Sequence, residues 1–176
     1  GLSLLKMRIF LIGFMGCGKT TLAKKLSARL GYQLVDLDHE IEHKLGQTVA
    51  SFFAQHGEDA FRKLESEMLK TLNYDQNTII ATGGGTPCFF DNMDWMNANG
   101  HTIYIEMTPP ALAARLQGGK STRPLLKDLN SQEIQAYIEQ KLSEREVHYL
   151  KAKSIINGIN LGADDLRALI LTNSKG

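Results

Sequence analysis

The chain is poor in cysteine, proline and tryptophan, has no long apolar run, and shows no surplus of charge of either sign. Each scarcity excludes something. Its two cysteines, Cys17 and Cys88, form neither a CxxC nor the paired spacing of a metal site. A disulfide scaffold and a structural zinc site therefore drop out, and both residues read as reduced thiols of a cytoplasmic protein. A formal net charge of +1 gives no general pull toward nucleic acid or a membrane surface, so neither is expected as a partner. The apolar run at residues 9–12 stops at Gly13 and leads into a charged helical pattern rather than a cleavage site. It is far shorter than the ~20 residues that span a bilayer, and a buried first strand accounts for it. What remains, 176 residues with 43% hydrophobic and 22% charged content, suits one domain, residues 1–176, with a sizeable core.

Short β-rich runs alternate with helical patterns from end to end, which predicts an α/β fold around a mostly parallel sheet. Strands are expected at residues 8–12, 33–37, 78–81, 102–106 and 154–156. None shows clean polar alternation, as befits strands covered on both faces. Helices are expected at residues 19–30, 39–45, 49–55, 59–73, 92–97, 110–116, 132–151 and 165–172. Residues 117–130 stand apart. Gly118, Gly119 and Pro124 interrupt any regular element there, and the basic residues among them suit a mobile surface loop.

Gly13-Phe14-Met15-Gly16-Cys17-Gly18-Lys19-Thr20 matches the phosphate-binding pattern GxxxxGK[ST] in full, between an apolar strand and a new helix. Glycines at Gly13, Gly16 and Gly18 let backbone N–H groups approach phosphate oxygens, and the helix adds its positive end. Lys19 is placed to reach the β- and γ-phosphates and the Thr20 hydroxyl to ligate Mg²⁺, with Cys17 and Thr21 inside the same cradle. A solvated lysine on a glycine-rich turn is the alternative, and the strand–motif–helix context speaks against it. The chain has no N-K-x-D motif of a guanine-reading switch. A compact kinase, whose basic loop closes over ATP and keeps water out, fits its length.

The acceptor side is less explicit. Asp36-Leu37-Asp38 follows the second strand, two acids at strand spacing that would face the same way at a ligand-binding sheet edge. One carboxylate can serve Mg²⁺ and the other the attacking hydroxyl; the competing role is for Asp38 to cap the next helix. Arg62 and Glu65 share a helix face, where a solvated surface pair explains them equally well. Gly83, Gly84 and Gly85 after the third strand permit close backbone approach to a ligand, or make a plain flexible turn. Arg123 in the basic loop and Arg145 in the long late helix offer forks for carboxylate or phosphate, though each alone reads as solvated surface.

Together these residues resemble the shikimate kinase family, from about Met7 to Ile156. The likeness is carried by the Gly13-to-Thr20 motif, by Asp36-x-Asp38, by Gly57-Glu58 with Phe61-Arg62-x-x-Glu65, by Gly83-Gly84-Gly85, by Arg123-Pro124-Leu125, and by Arg145 four before Tyr149. The resemblance implies a three-layer P-loop kinase fold of the nucleoside-monophosphate-kinase kind, with five parallel strands in order 2-3-1-4-5 and a mobile lid at about residues 117–130. It implies transfer of the γ-phosphate of ATP to the 3-hydroxyl of shikimate, by a protein working as a monomer. Its substrate-binding region would be about residues 38–65. Asp38, Arg62, the three glycines and Arg145 would hold shikimate, the arginines at its carboxylate and Asp38 at its hydroxyls. Thr20 and Asp36 would serve Mg²⁺, Lys19 and Arg123 would reach the phosphates, Glu65 would steady Arg62, and Arg115 would stack on adenine. One departure stands out: Val147 replaces a proline frequent between the late arginine and tyrosine. A gluconate or nucleoside-monophosphate kinase would keep the P-loop but need a different acceptor pocket, and a regulatory module would bind nucleotide without transfer.

Overall fold

A computed structural model of the protein describes residues 7–118, 126 and 128–159. In chain order the elements are β1 (Arg8–Ile12), α1 (Lys19–Leu30), β2 (Gln33–Asp36), α2 (Leu37–Leu45), α3 (Val49–Thr71), β3 (Thr78–Ala81), a single 3₁₀ turn (Thr86–Cys88), α4 (Asn92–Asn99), β4 (His101–Glu106), α5 (Pro109–Gly118), α6 (Ser131–Tyr149) and β5 (Ser154–Asn157). The strands form one parallel sheet in the order β2-β3-β1-β4-β5. This is the P-loop kinase arrangement that the family resemblance implies.

β1 lies at the centre because its residues after Arg8 are all apolar and all buried. It pairs with β3 through Phe10 opposite Ile80 and with β4 through Phe10 opposite Thr102. The edges depart from the expectation of strands covered on both faces, since Gln33 and Leu34 of β2 and Ile155 of β5 are exposed. Because all five strands run the same way, the chain leaves β1, β2 and β3 on one edge of the sheet, where open α/β folds bind ligands.

Two local features matter for the site, the first of them a departure from expectation. β2 stops at Asp36, and Leu37 and Asp38 already belong to the first turn of α2, so the two acids are not at strand spacing. The helical patterns expected at residues 49–55 and 59–73 are both present within α3 as two helices that meet at Gly57, whose φ of 83° and ψ of 172° are non-helical. The other elements begin or end within a few residues of expectation. Leu126 is buried in the core. The helix expected at residues 165–172, the greater part of the lid and Arg123 lie outside the described residues.

Candidate active site

Between β1 and α1 the chain closes into a loop through three glycines with φ of 153°, 84° and 95°, at Gly13, Gly16 and Gly18. The loop is also tight. A Cβ on Gly13 would sit 2.9 Å from the Ile105 carbonyl oxygen, and one on Gly16 would sit 2.8 Å from Leu116. Cys17 turns its side chain into the core, and its N–H donates to Phe14 O at 3.2 Å. Gly18 caps α1 without any side-chain hydrogen bond, so the first-turn N–H groups are left for an anion. Lys19 is nearly buried, and its Nζ donates to Gly13 O at 2.5 Å and to Phe14 O at 3.1 Å.

A cleft of ≈ 390 Å³ runs from this loop across the sheet edge. Gly16, Gly18, Lys19, Thr20 and Thr21 line one side, Asp36, Asp38, Gly83 and Gly84 the other, and Arg115 reaches it from α5. Arg115 Nη1 lies so near the loop that a Cβ on Gly18 would come within 2.9 Å of it.

Asp36, not Asp38, is the N-cap of α2: its Oδ1 accepts the His39 N–H at 3.1 Å. Its Oδ2 accepts from the Thr20 hydroxyl at 3.4 Å, across the cleft. A hydroxyl and a carboxylate oxygen at that separation beside a phosphate cradle fit Mg²⁺, which takes oxygen donors and draws the rest of its shell from water and phosphates. Among the described residues no group of three or more His, Cys, Asp or Glu could form an all-protein metal cage.

Asp38, freed from capping, points at the glycine turn. A Cβ on Gly83 would lie 3.1 Å from its Oδ1. Burial, followed by the nearby Glu65, Asp36 and Glu42 carboxylates, pushes its carboxyl up from 3.8 to about 6, against the opposing pull of Lys19. A carboxylate poised there can take a proton from a hydroxyl near neutral pH.

The Arg62–Glu65 pair is not at the surface. Arg62 is 8% and Glu65 1% exposed, and Arg62 Nη1 donates to Glu65 Oε1 at 2.9 Å. The guanidinium lies over the Phe89 ring at 4.3 Å, and its Nε is buried without a hydrogen-bond partner. These aromatics and the glycine turn bury a pair that an i,i+3 spacing alone leaves ambiguous. Arg145, on α6, lies over Phe14 at 5.5 Å. Val147 is exposed and α6 runs unbroken to Tyr149, so the residue standing in place of proline leaves the Arg145–Tyr149 spacing intact.

The three glycines explain how these side chains meet. A Cβ on Gly84 would come 3.1 Å from Arg145 Nη1, and one on Gly85 would come 2.5 Å from Arg62 Nη2. Gly83, Gly84 and Gly85 thus press in turn against Asp38, Arg145 and Arg62. None of them has positive φ, so close approach rather than turn flexibility requires glycine here. Two further bonds fasten this turn, one from Tyr149, which its spacing from Arg145 marks, and one from Thr86, which carries no signal of its own in the sequence. The Tyr149 hydroxyl donates to Gly84 O at 2.5 Å, and Thr86 lies between Glu65 and Gly83.

Comparisons with known proteins identify relatives of this chain. The family model described as shikimate kinase matches residues 15–169. The chain is 45% identical over 145 residues to a shikimate kinase of Parabacteroides distasonis, covering 82% of this chain and 84% of the relative. It is 42% identical to one of Phocaeicola vulgatus, covering 88% of each. Among solved structures it is similar to the shikimate kinase of Bacteroides thetaiotaomicron, with a TM-score of 0.87 and 37% identity over 96% of this chain and 97% of the other. It is also similar to that of Acinetobacter baumannii in complex with shikimate, with a TM-score of 0.85 and 31% identity over 98% and 97%.

Proposed function

This chain belongs to the shikimate kinase family, and from that premise we propose that it moves the γ-phosphoryl group of ATP to the 3-hydroxyl of shikimate. The products are shikimate 3-phosphate and ADP, a step toward chorismate and the aromatic amino acids. The observation that carries the reading is the succession Gly83, Gly84, Gly85 against Asp38, Arg145 and Arg62, of which Asp38, Gly83 and Gly84 line the cleft that begins at the phosphate loop. It gathers a carboxylate for hydroxyls and two guanidinium groups for a carboxylate, the functional groups of a hydroxy acid.

Phosphoryl transfer asks mainly for positioning and charge neutralisation. The N–H groups of the loop closed by Gly13, Gly16, Cys17 and Gly18, with those opening α1 through Thr20 and Thr21, cradle the phosphates. Lys19 leaves its carbonyl partners for the β- and γ-phosphate oxygens. Arg62 and Arg145 hold the acceptor's carboxylate, which turns the reacting hydroxyl toward Asp38. Asp38 orients that hydroxyl and accepts its proton as the oxygen–phosphorus bond forms. Arg123, arriving from the lid, neutralises charge on the transferring group, and Arg115 meets the adenine. Thr20 and Asp36 would hold Mg²⁺, which would neutralise phosphate charge. The catalytic unit is read as a monomer. Two free cysteines suit the cytoplasm, and no partner beyond the two substrates enters the reading, neither nucleic acid nor a membrane.

The test is product identification. After incubation with ATP, Mg²⁺ and shikimate, phosphorus–proton correlation should place the new phosphate on the carbon bearing the 3-hydroxyl. Phosphate on another carbon, or none on the acid, would overturn the assignment.

A further inference from the structure

The residue after the three glycines, Thr86, is wholly buried, and its hydroxyl is used twice. It donates to Glu65 Oε2 at 2.8 Å and accepts from the Gly83 N–H at 3.0 Å. The direction of both bonds follows from chemistry, because a carboxylate only accepts and a peptide N–H only donates. Glu65 Oε1 is taken by Arg62, so a single hydroxyl joins the Arg62–Glu65 pair to the glycine that faces Asp38.

The turn does not need that hydroxyl to stay closed. Thr86 N donates to Gly83 O at 3.2 Å, Asn92 Nδ2 donates to Thr86 O at 2.9 Å, and Ser66 holds Asn92 Oδ1 at 2.6 Å. Tyr149 secures Gly84 from the other side. What the hydroxyl alone supplies is the placement of the Glu65 carboxylate, and through it Arg62, relative to Gly83 and Asp38.

We propose that Thr86 is a positioning residue that sets the spacing between Arg62, at the acceptor's carboxylate, and Asp38, at its hydroxyls. The inference rests on the reading of the acceptor as shikimate. Removing the hydroxyl leaves a buried carboxylate oxygen and a buried N–H unpaired, which lets Glu65 and Arg62 shift together. The nucleotide side shares none of these bonds.

The experiment compares wild type with Thr86→Val, Thr86→Ala and Thr86→Ser by initial rates, varying shikimate and ATP independently. Valine keeps the volume and loses the hydroxyl, alanine loses both, and serine restores the hydroxyl. Valine and alanine should each raise KM for shikimate about tenfold, the scale of one lost buried hydrogen bond to a charged group, with KM for ATP unchanged. Serine should bring KM for shikimate back close to wild type. Equal movement of both KM values, no movement of either, or a serine variant as impaired as valine would each overturn this inference alone. A wild-type chain inert toward shikimate would overturn the functional reading and this inference together.

Discussion

The two ends of the cleft are assembled differently. At the nucleotide end, Gly13 to Thr20 supply the cradle from consecutive residues, mostly as backbone, and three left-handed glycines shape it. At the acceptor end, Asp38 comes from α2, Arg62 and Glu65 from α3, the glycines from the turn after β3, and Arg145 from α6. There the working groups are side chains, and buried polar bonds to Thr86 and Tyr149 hold their spacing. A contiguous motif carries its geometry in local backbone preferences, whereas a dispersed pocket depends on contacts that form only when the sheet is assembled. The two ends should therefore fail separately.

The largest separation is expected at Asp38. Asp38→Asn removes the proton acceptor while keeping shape, so kcat should fall by about 10²–10⁴-fold, the usual worth of general base catalysis. ATP affinity measured by calorimetric titration should be unchanged, and a parallel loss of ATP binding would break the distinction. Next is Arg62→Lys. Lysine keeps the charge but not the planar fork that pairs with Glu65, so KM for shikimate should rise about 10–100-fold while KM for ATP stays put.

Acidity sharpens the comparison further. With its carboxyl at about 6, Asp38 is protonated below that value and can no longer accept a proton. A plot of kcat/KM for shikimate against pH should be flat above about 6 and fall about tenfold per unit below it. A flat acid limb would remove Asp38 from the proton path. The smallest effect concerns stability. A folded-state value near 6 against an ordinary 3.8 means the fold disfavours the carboxylate. The destabilisation is absent below about 3.8, grows with rising pH, and is complete above about 6. Asp38→Asn should therefore raise Tm by a few degrees at neutral pH, on the order of 1–3 kcal/mol, and leave it unchanged near pH 3.5. An equal Tm for both proteins at neutral pH would count against the strained carboxylate.

The same contrast explains what could be read in advance. The phosphate loop was legible whole, because strand, glycines and helix start lie side by side in the chain. The sheet order followed from the resemblance those motifs carry. Asp36 and Asp38 were legible as a pair at the cleft, but their local geometry was not. An Asp-Leu-Asp at a strand end suits a strand tip and a helix cap alike, and the extended backbone of Asp36 belongs to both. Arg62 and Glu65 look the same in sequence whether solvated or buried. What buries them is Phe61, Phe89 and Gly85, two of which arrive from beyond α3. Thr86 gave no signal, since a threonine after a glycine turn is unremarkable until Glu65 stands opposite.

The central claim is that the acceptor end selects shikimate while the nucleotide end only delivers phosphate. The most direct measurement is ADP release with ATP and Mg²⁺, in parallel with shikimate, gluconate, nucleoside monophosphates and no acceptor. Release that depends on shikimate alone is the expected result. Release driven by another acceptor, or equal release without any, would contradict it.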